Sequence, residues 1–148
     1  GYDLSKLVGS IEYDHFNVML KKGKEKEDFV QTCKQLLDIT AELPKYRTFT
    51  VHASSLTNAG SYIYQELGYA LAWGNEYLRQ LTDAGLPAAA VAKKIKFVLG
   101  ISTNYFMEIA KFRAARMLWA NIVASYNPEC HAIARIKVRT TNAVALQK

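Results

Sequence analysis

The hydrophobic pattern of the chain switches between two periods, and this switch predicts strands that alternate with helices. Four short stretches either alternate between apolar and polar residues or are almost wholly apolar, as strands are. In one of them Phe49, Val51 and Ala53 fall on one face, with polar residues on the other. The predicted strands cover residues 7–13, 47–53, 95–101 and 132–140.

Between the strands, apolar residues recur at three- and four-residue spacing, which predicts amphipathic helices. The last of these helices has Phe106, Ile109 and Met117 on one face, with Glu108 and Lys111 on the opposite side. The segments 13–23 and 54–58 are predicted loops. The predicted helices cover about 25–42, 58–84, 87–93 and 106–120.

The order of these elements predicts an α/β fold built from parallel β/α units, because a helix that follows a strand returns the chain to a parallel neighbour. Four strands are about half of a TIM-type (β/α)8 barrel. The pattern alone does not separate half a barrel from a small doubly wound sheet. We find no repeat, low-complexity tract or linker, so we expect residues 1–148 to form one domain.

Two helical blocks resemble a known family. They are AGSYIYQELGYALAWGNEYLRQLTDAG, at 59–85, and FMEIAKFRAARMLWA, at 106–120. In this order and at this separation they resemble methylmalonyl-CoA mutase, which interconverts methylmalonyl-CoA and succinyl-CoA by adenosylcobalamin radical chemistry. The resemblance implies a (β/α)8 barrel and a separate cobalamin-binding domain. Heterodimeric members pair a catalytic large chain with a small chain that keeps the fold without the active site.

The positions that match the family's catalytic residues have changed in this chain. A Tyr-His pair close to the substrate corresponds to Ser54 and Ser55, and a hydroxyl cannot replace imidazole as a general acid near neutral pH. The Gln and Arg that hold the substrate correspond to Glu12 and Lys22. The family's Asp-x-His-x-x-Gly cobalamin motif does not occur in the sequence. The resemblance therefore implies no catalytic residue and no cobalamin bound by this chain.

Positive charge is present at four positions that correspond to CoA-contacting or barrel-strand residues of the family. The resemblance implies substrate binding, by position only, at Lys94, Lys96, Lys137 and Arg139. The alternative, which we favour for the isolated chain, is that the basic face of the last strand is simply solvated.

Composition narrows the function classes only a little. The chain has 148 residues, 50% hydrophobic and 22% charged, which is typical of a soluble globular protein. Its net charge of +6 suits an anionic ligand or, by charge alone, nucleic acid. No stretch is long enough to span a bilayer, and Cys33 and Cys130 are too isolated for a disulfide or zinc framework, so we expect a cytoplasmic protein. A catalytic His52 and a metal site at Cys130–His131 are weaker hypotheses.

The favoured hypothesis is a fragment of the small subunit of a methylmalonyl-CoA mutase, inactive alone, which supports the large subunit in a heterodimer. It binds no metal, nucleic acid or membrane, and adenosylcobalamin belongs to the parent complex. The alternatives are a catalytically active acyl-CoA mutase fragment with divergent site residues, and a basic anion- or nucleic-acid-binding module. The chain begins GYDLSKL without Met, so we expect an excised piece or a processed product. Half a barrel leaves two open strand edges, so we also expect self-association.

Overall fold

A computed structural model describes residues 3–23 and 28–141, which form four strands and six α-helices after a short 3-10 turn at Leu4–Lys6. The strands are β1 (Gly9–Tyr13), β2 (Tyr46–His52), β3 (Ile95–Ile101) and β4 (Arg135–Thr140). The helices are α1 (His15–Lys22), α2 (Phe29–Ile39), α3 (Ser54–Asn58), α4 (Ile63–Asp83), α5 (Ala88–Lys94) and α6 (Tyr105–Tyr126).

The four strands form one parallel sheet in the order β1-β2-β3-β4. This arrangement confirms the predicted α/β fold and is consistent with part of a TIM-type barrel, although the sheet is not closed. β3 lies between β2 and β4, and its residues 95–100 are buried, as its continuous apolar sequence predicts.

One face of the sheet packs against α4 and α6. The Phe49 ring stacks on Tyr77 of α4 at 5.3 Å between centroids, and the Phe97 ring meets Trp119 of α6 edge-on at 4.9 Å. Gly74 allows this close approach, because a Cβ at this position would lie 2.7 Å from Trp119 and 2.8 Å from Phe97. The glycine in the middle of α4 is therefore a packing requirement that outweighs its poor helix propensity.

Two segments predicted as loops are helical, which corrects the sequence prediction. In α1 the Asp14 side chain accepts a hydrogen bond from the Asn17 N–H at 3.1 Å, and Gly23 ends the helix with φ 63°. These are ordinary start and stop signals, but the helix between them is too short to show a clear period. The segment 54–58 forms α3, and α4 begins at Ile63 rather than near residue 58. The predicted start of α2, at 25, lies outside the described residues.

The buried face of α6 is the reverse of the one that its apolar pattern suggests. Phe106 and Met117 are 80% and 62% exposed. The helix also runs on to Tyr126, beyond its predicted end at about residue 120. The buried residues of α6 are Glu108, Lys111, Ala115, Trp119 and Val123.

This reversal is explained by a buried ionic cluster of Glu66, Lys111 and Glu108, whose side chains are at most 4% exposed. Lys111 Nζ lies 2.7 Å from Glu66 Oε2 and 2.5 Å from Glu108 Oε2. It also donates a hydrogen bond to the Gly100 carbonyl at 2.7 Å. Buried charges are strongly unfavourable unless they are paired, so the two helices must keep these three side chains together.

The same cluster holds the C-terminal end of β3. The Gly100 N–H donates to Glu66 Oε1 at 2.5 Å, and the Ser102 N–H and hydroxyl donate to Glu108 Oε1 at 3.0 and 2.7 Å. Glu66 of α4 therefore holds Gly100, and Glu108 of α6 holds Ser102, which follows the end of the strand. The position of the strand end, where barrel proteins place function, is fixed by side chains rather than by the sheet alone.

Replacement of Lys111 by Met should destabilise the protein by about 3–5 kcal/mol, because two carboxylates would remain buried without their cation. Urea unfolding followed by circular dichroism measures this loss. The matched control is Arg113→Met, which removes an exposed cation from the same helix and should change stability by less than about 0.5 kcal/mol. A loss below about 1 kcal/mol for Lys111→Met would contradict the assigned role of the cluster.

Candidate functional site

The face of the sheet away from the helices carries a group of charged side chains. Side chains two residues apart on a strand share a face, and neighbouring strands place them side by side. β3 and β4 pair with Val98 opposite Lys137 and Gly100 opposite Arg139. We call the following group, contributed by all four strands, the upper cluster: Glu12, His52, Lys96, Lys137 and Arg139.

Glu12 is the centre of the upper cluster. Its carboxylate lies 3.6 Å from Lys137 Nζ, 3.8 Å from Lys96 Nζ and 4.0 Å from an Arg139 guanidinium nitrogen. His52 Nε2 lies 3.8 Å away. Desolvation pushes the pKa of Glu12 upward, but the electrostatic interactions with His52, Lys96, Lys137 and Arg139 outweigh this and lower the pKa. The carboxylate therefore stays ionised and acts as the common counter-charge of the group.

Three of the four predicted substrate-binding residues meet in the upper cluster, and Lys94 does not. Its ammonium group donates hydrogen bonds to the carbonyls of Thr40 and Leu43, at 2.7 and 2.8 Å, beyond the end of α2. Burial, with a contribution from the charge of Arg47, lowers the pKa of Lys94. The structure thus places Lys94 in a structural contact between α5 and the segment after α2.

A second basic region, missed by the sequence prediction, surrounds a pocket of about 490 Å³ near the N-terminal ends of the strands. We call it the basic pocket. None of its lining residues is acidic, and five are cationic: Lys45, Arg47, Lys96, Arg135 and Lys137. Its cations come from segments far apart in the chain, so only the sheet register, which sets Lys96 beside Arg135, could have predicted it.

Arg47 shows that the basic pocket has uncompensated positive charge. Burial and the nearby charge of Arg135 both lower the pKa of Arg47. Its Nε is buried and has no hydrogen-bond partner among the described residues. A buried donor without an acceptor is unfavourable, and an anion with several oxygens would satisfy it and reduce the repulsion between the two guanidinium groups.

Among residues 3–23 and 28–141, the C-terminal end of the sheet, where the resemblance places the family's catalytic residues, does not assemble a nucleophile and base. Ser55 Oγ donates to the His52 carbonyl at 2.7 Å rather than to its ring. Asp14 Oδ2 accepts from the His52 N–H at 2.6 Å and lies 3.2 Å from its Nδ1, so His52 is held by a structural partner. Ser54 is buried, and Lys22 is exposed at the end of α1.

The described residues do not fit the cobalamin of the resembling family. The chain has three histidines. The His15 ring packs at 4.3 Å from Phe29 in the core, His52 is held by Asp14, and His131 is exposed before β4. None presents a free imidazole at the C-terminal end of the sheet. Within 3–23 and 28–141, no group of three His, Cys, Asp or Glu residues could hold a metal ion, and no helix could cross a membrane.

Comparisons with a family model and with individual proteins point to the same family. Residues 1–147 match the family model described as methylmalonyl-CoA mutase. The chain is 51% identical over 129 residues to the methylmalonyl-CoA mutase small subunit of Porphyromonas gingivalis, an alignment that covers 87% of this chain and 21% of that protein. It is 33% identical over 144 residues to the large subunit of the same organism, covering 90% of this chain and 20% of that protein.

A third relative is the methylmalonyl-CoA mutase large subunit of Streptomyces virginiae, 34% identical over 137 residues that cover 87% of this chain and 18% of the relative. The chain therefore spans about a fifth of the length of these curated relatives. Its identity to the small subunit is well above its identity to either large subunit.

Proposed function

The chain belongs to the methylmalonyl-CoA mutase family, and we propose that it is part of a small, non-catalytic subunit that supports a catalytic large subunit in a heterodimer. The observation that carries this proposal is the identity of 51% to a small subunit against 33% and 34% to two large subunits. The proposed role is structural.

The side chains on the inner face of the sheet, the face away from the helices, support the same proposal. Ser54 and Ser55 stand where the resemblance places a Tyr-His pair, and Ser55 is bonded to a backbone carbonyl. Glu12 stands where the family holds a substrate carboxylate, and a carboxylate at this position repels another. The fold that carries this face is held together by the buried ion pairs of Lys111 with Glu66 and Glu108.

Under this proposal the large subunit binds adenosylcobalamin and performs the isomerisation of methylmalonyl-CoA to succinyl-CoA. A catalytically active fragment with divergent residues is not favoured, because the hydroxyl groups of Ser54 and Ser55 cannot act as general acids near neutral pH. The two free cysteines, Cys33 and Cys130, support a reducing, cytoplasmic setting for the complex.

The open sheet gives the chain a way to associate. Within the part of the chain that the structure describes, β1 and β4 each have a neighbouring strand on one side only. Unpaired strand edges present rows of backbone donors and acceptors that recruit other chains. We infer that these edges lead the isolated chain to self-associate when they are not covered.

Light scattering after size-exclusion chromatography tests these partner proposals. We expect the chain alone to form dimers or larger species, and to form a mixed complex when a mutase large subunit is added. The complex should persist in about 0.5 M salt, which excludes association through the net charge alone. The chain alone, given adenosylcobalamin, should not convert methylmalonyl-CoA. Turnover by the chain alone, or the absence of any complex with the large subunit, would contradict the proposed role.

The basic pocket favours a second candidate function, the binding of an anion such as the phosphates of CoA. Five cations, no lining carboxylate and the unpartnered Arg47 Nε support this proposal. Nucleic acid carries the same charge, but the pocket is concave and small, which suits a compact phosphate group better than a duplex.

Calorimetric titration with CoA tests the anion proposal. Arg47→Gln and Arg135→Gln should each weaken binding by about tenfold, because each removes a cation from the pocket. Arg113→Gln, an exposed cation on the outer surface of α6, is the charge-matched control and should leave the affinity unchanged. Equal affinities in all variants, or tighter binding of duplex DNA than of CoA, would contradict the proposal.

A further inference from the structure

Glu12 differs from the other charged residues of the inner face in the number of its contacts. Among the described residues it is the one carboxylate that pairs with Lys96, Lys137 and Arg139. Its two oxygens divide these contacts, since Oε1 lies nearest the two lysines and Oε2 lies nearest Arg139. A bound carboxylate or phosphate would make the same set of contacts.

We propose that Glu12 is a built-in counter-anion, which occupies an anion site formed by Lys96, Lys137 and Arg139 and excludes carboxylate and phosphate ligands from it. The inference is independent of the proposed subunit role, because it rests on the geometry of these four side chains. It assigns a selective function to a residue whose own side chain is 44% exposed.

The strand geometry keeps Glu12 in this position. Ser10, two residues earlier in β1, accepts a hydrogen bond from Lys96 Nζ at 2.6 Å. Lys96 is thereby fixed between Ser10 and Glu12, with its side chain only 11% exposed. Lys137 and Arg139 reach the carboxylate from β4, which lies beside β3 at the other end of the sheet from β1. The cations are therefore already gathered around one point, and that point is filled by Glu12.

Electrostatics explain why an external anion is excluded. Two like charges about 4 Å apart repel by about 1 kcal/mol even in water, and by more where solvent is partly displaced. A ligand that reached Lys137 and Arg139 would meet the Glu12 carboxylate at this distance. The side chains of Lys137 and Arg139 are each 50% exposed, and ion pairs at exposed sites are weak, so a ligand gains little by competing for them while Glu12 remains charged.

The basic pocket provides the contrast. Lys96 and Lys137 line it as well, but Arg139 and Glu12 do not. The upper cluster thus contains its own counter-anion, whereas the basic pocket does not. Lys96 and Lys137 belong to both. This division predicts that an anion is accepted near the N-terminal ends of the strands and rejected further along them.

The first test compares the wild type with Glu12→Gln by calorimetric titration of inorganic pyrophosphate at low salt. We expect Glu12→Gln to bind about tenfold more tightly, because the amide keeps the size of the side chain and removes its charge. Asp38→Asn, an exposed acid on α2, is the control for the change in net charge and should bind as the wild type does. Equal affinities in Glu12→Gln and Asp38→Asn would overturn the proposal.

The second test locates the site that is responsible for the higher pyrophosphate affinity of Glu12→Gln. Arg139→Gln is introduced into the wild type and into Glu12→Gln, and the two effects on pyrophosphate affinity are compared as a double-mutant cycle. Arg139 contacts Glu12 but does not line the basic pocket, so its removal should cancel most of the gain in Glu12→Gln and have a smaller effect in the wild type. A gain in pyrophosphate affinity that survives Arg139→Gln would overturn the assigned site.

Thermal melts with and without pyrophosphate give an independent readout, because a bound anion should raise the melting temperature of Glu12→Gln more than that of the wild type.

Discussion

The buried cluster of Glu66, Lys111 and Glu108 is the constraint on which the arrangement of this chain depends. It joins α4 and α6 to each other through Lys111, and joins both helices to the end of β3 through the backbone of Gly100 and Ser102. Removal of one partner would strand a buried charge, so the cluster tolerates little change. The helices can therefore be placed on the sheet in one way only, and the inner face of the sheet inherits its geometry from that placement.

Scaffold and chemistry are separated on the two faces of the sheet. The helix-facing side is filled by close contacts such as Phe49 on Tyr77 and Phe97 on Trp119, which leave no room for substitution. The inner side is polar and partly open, and its side chains can change without disturbing the core. This separation allows a chain of the mutase family to keep its fold while the side chains on the open face of its sheet change.

Much of the fold follows from the sequence, and the failures have physical causes. The apolar run at 95–101 predicted β3 residue for residue, because a strand covered on both faces needs little besides apolar side chains. The buried face of α6 was not predictable from polarity, since Glu108 and Lys111 are buried by mutual pairing across a turn and with Glu66 from another helix. The basic pocket and the contacts of Glu12 depend on the strand register. Lys94 donates hydrogen bonds to two backbone carbonyls, and no sequence pattern indicates these contacts. Short helices such as α1 were hidden because their signals are caps and not periods.

Amide hydrogen exchange at the end of β3 tests the central claim most directly. The N–H groups of Gly100 and Ser102 donate to Glu66 and Glu108, and Val98 lies in the middle of the same strand. If the buried cluster fixes this strand end, the amides of Gly100 and Ser102 will exchange only through global unfolding, with opening free energies within about 1 kcal/mol of that of Val98. Exchange of these two amides through a local opening several kcal/mol easier than that of Val98 would contradict the account.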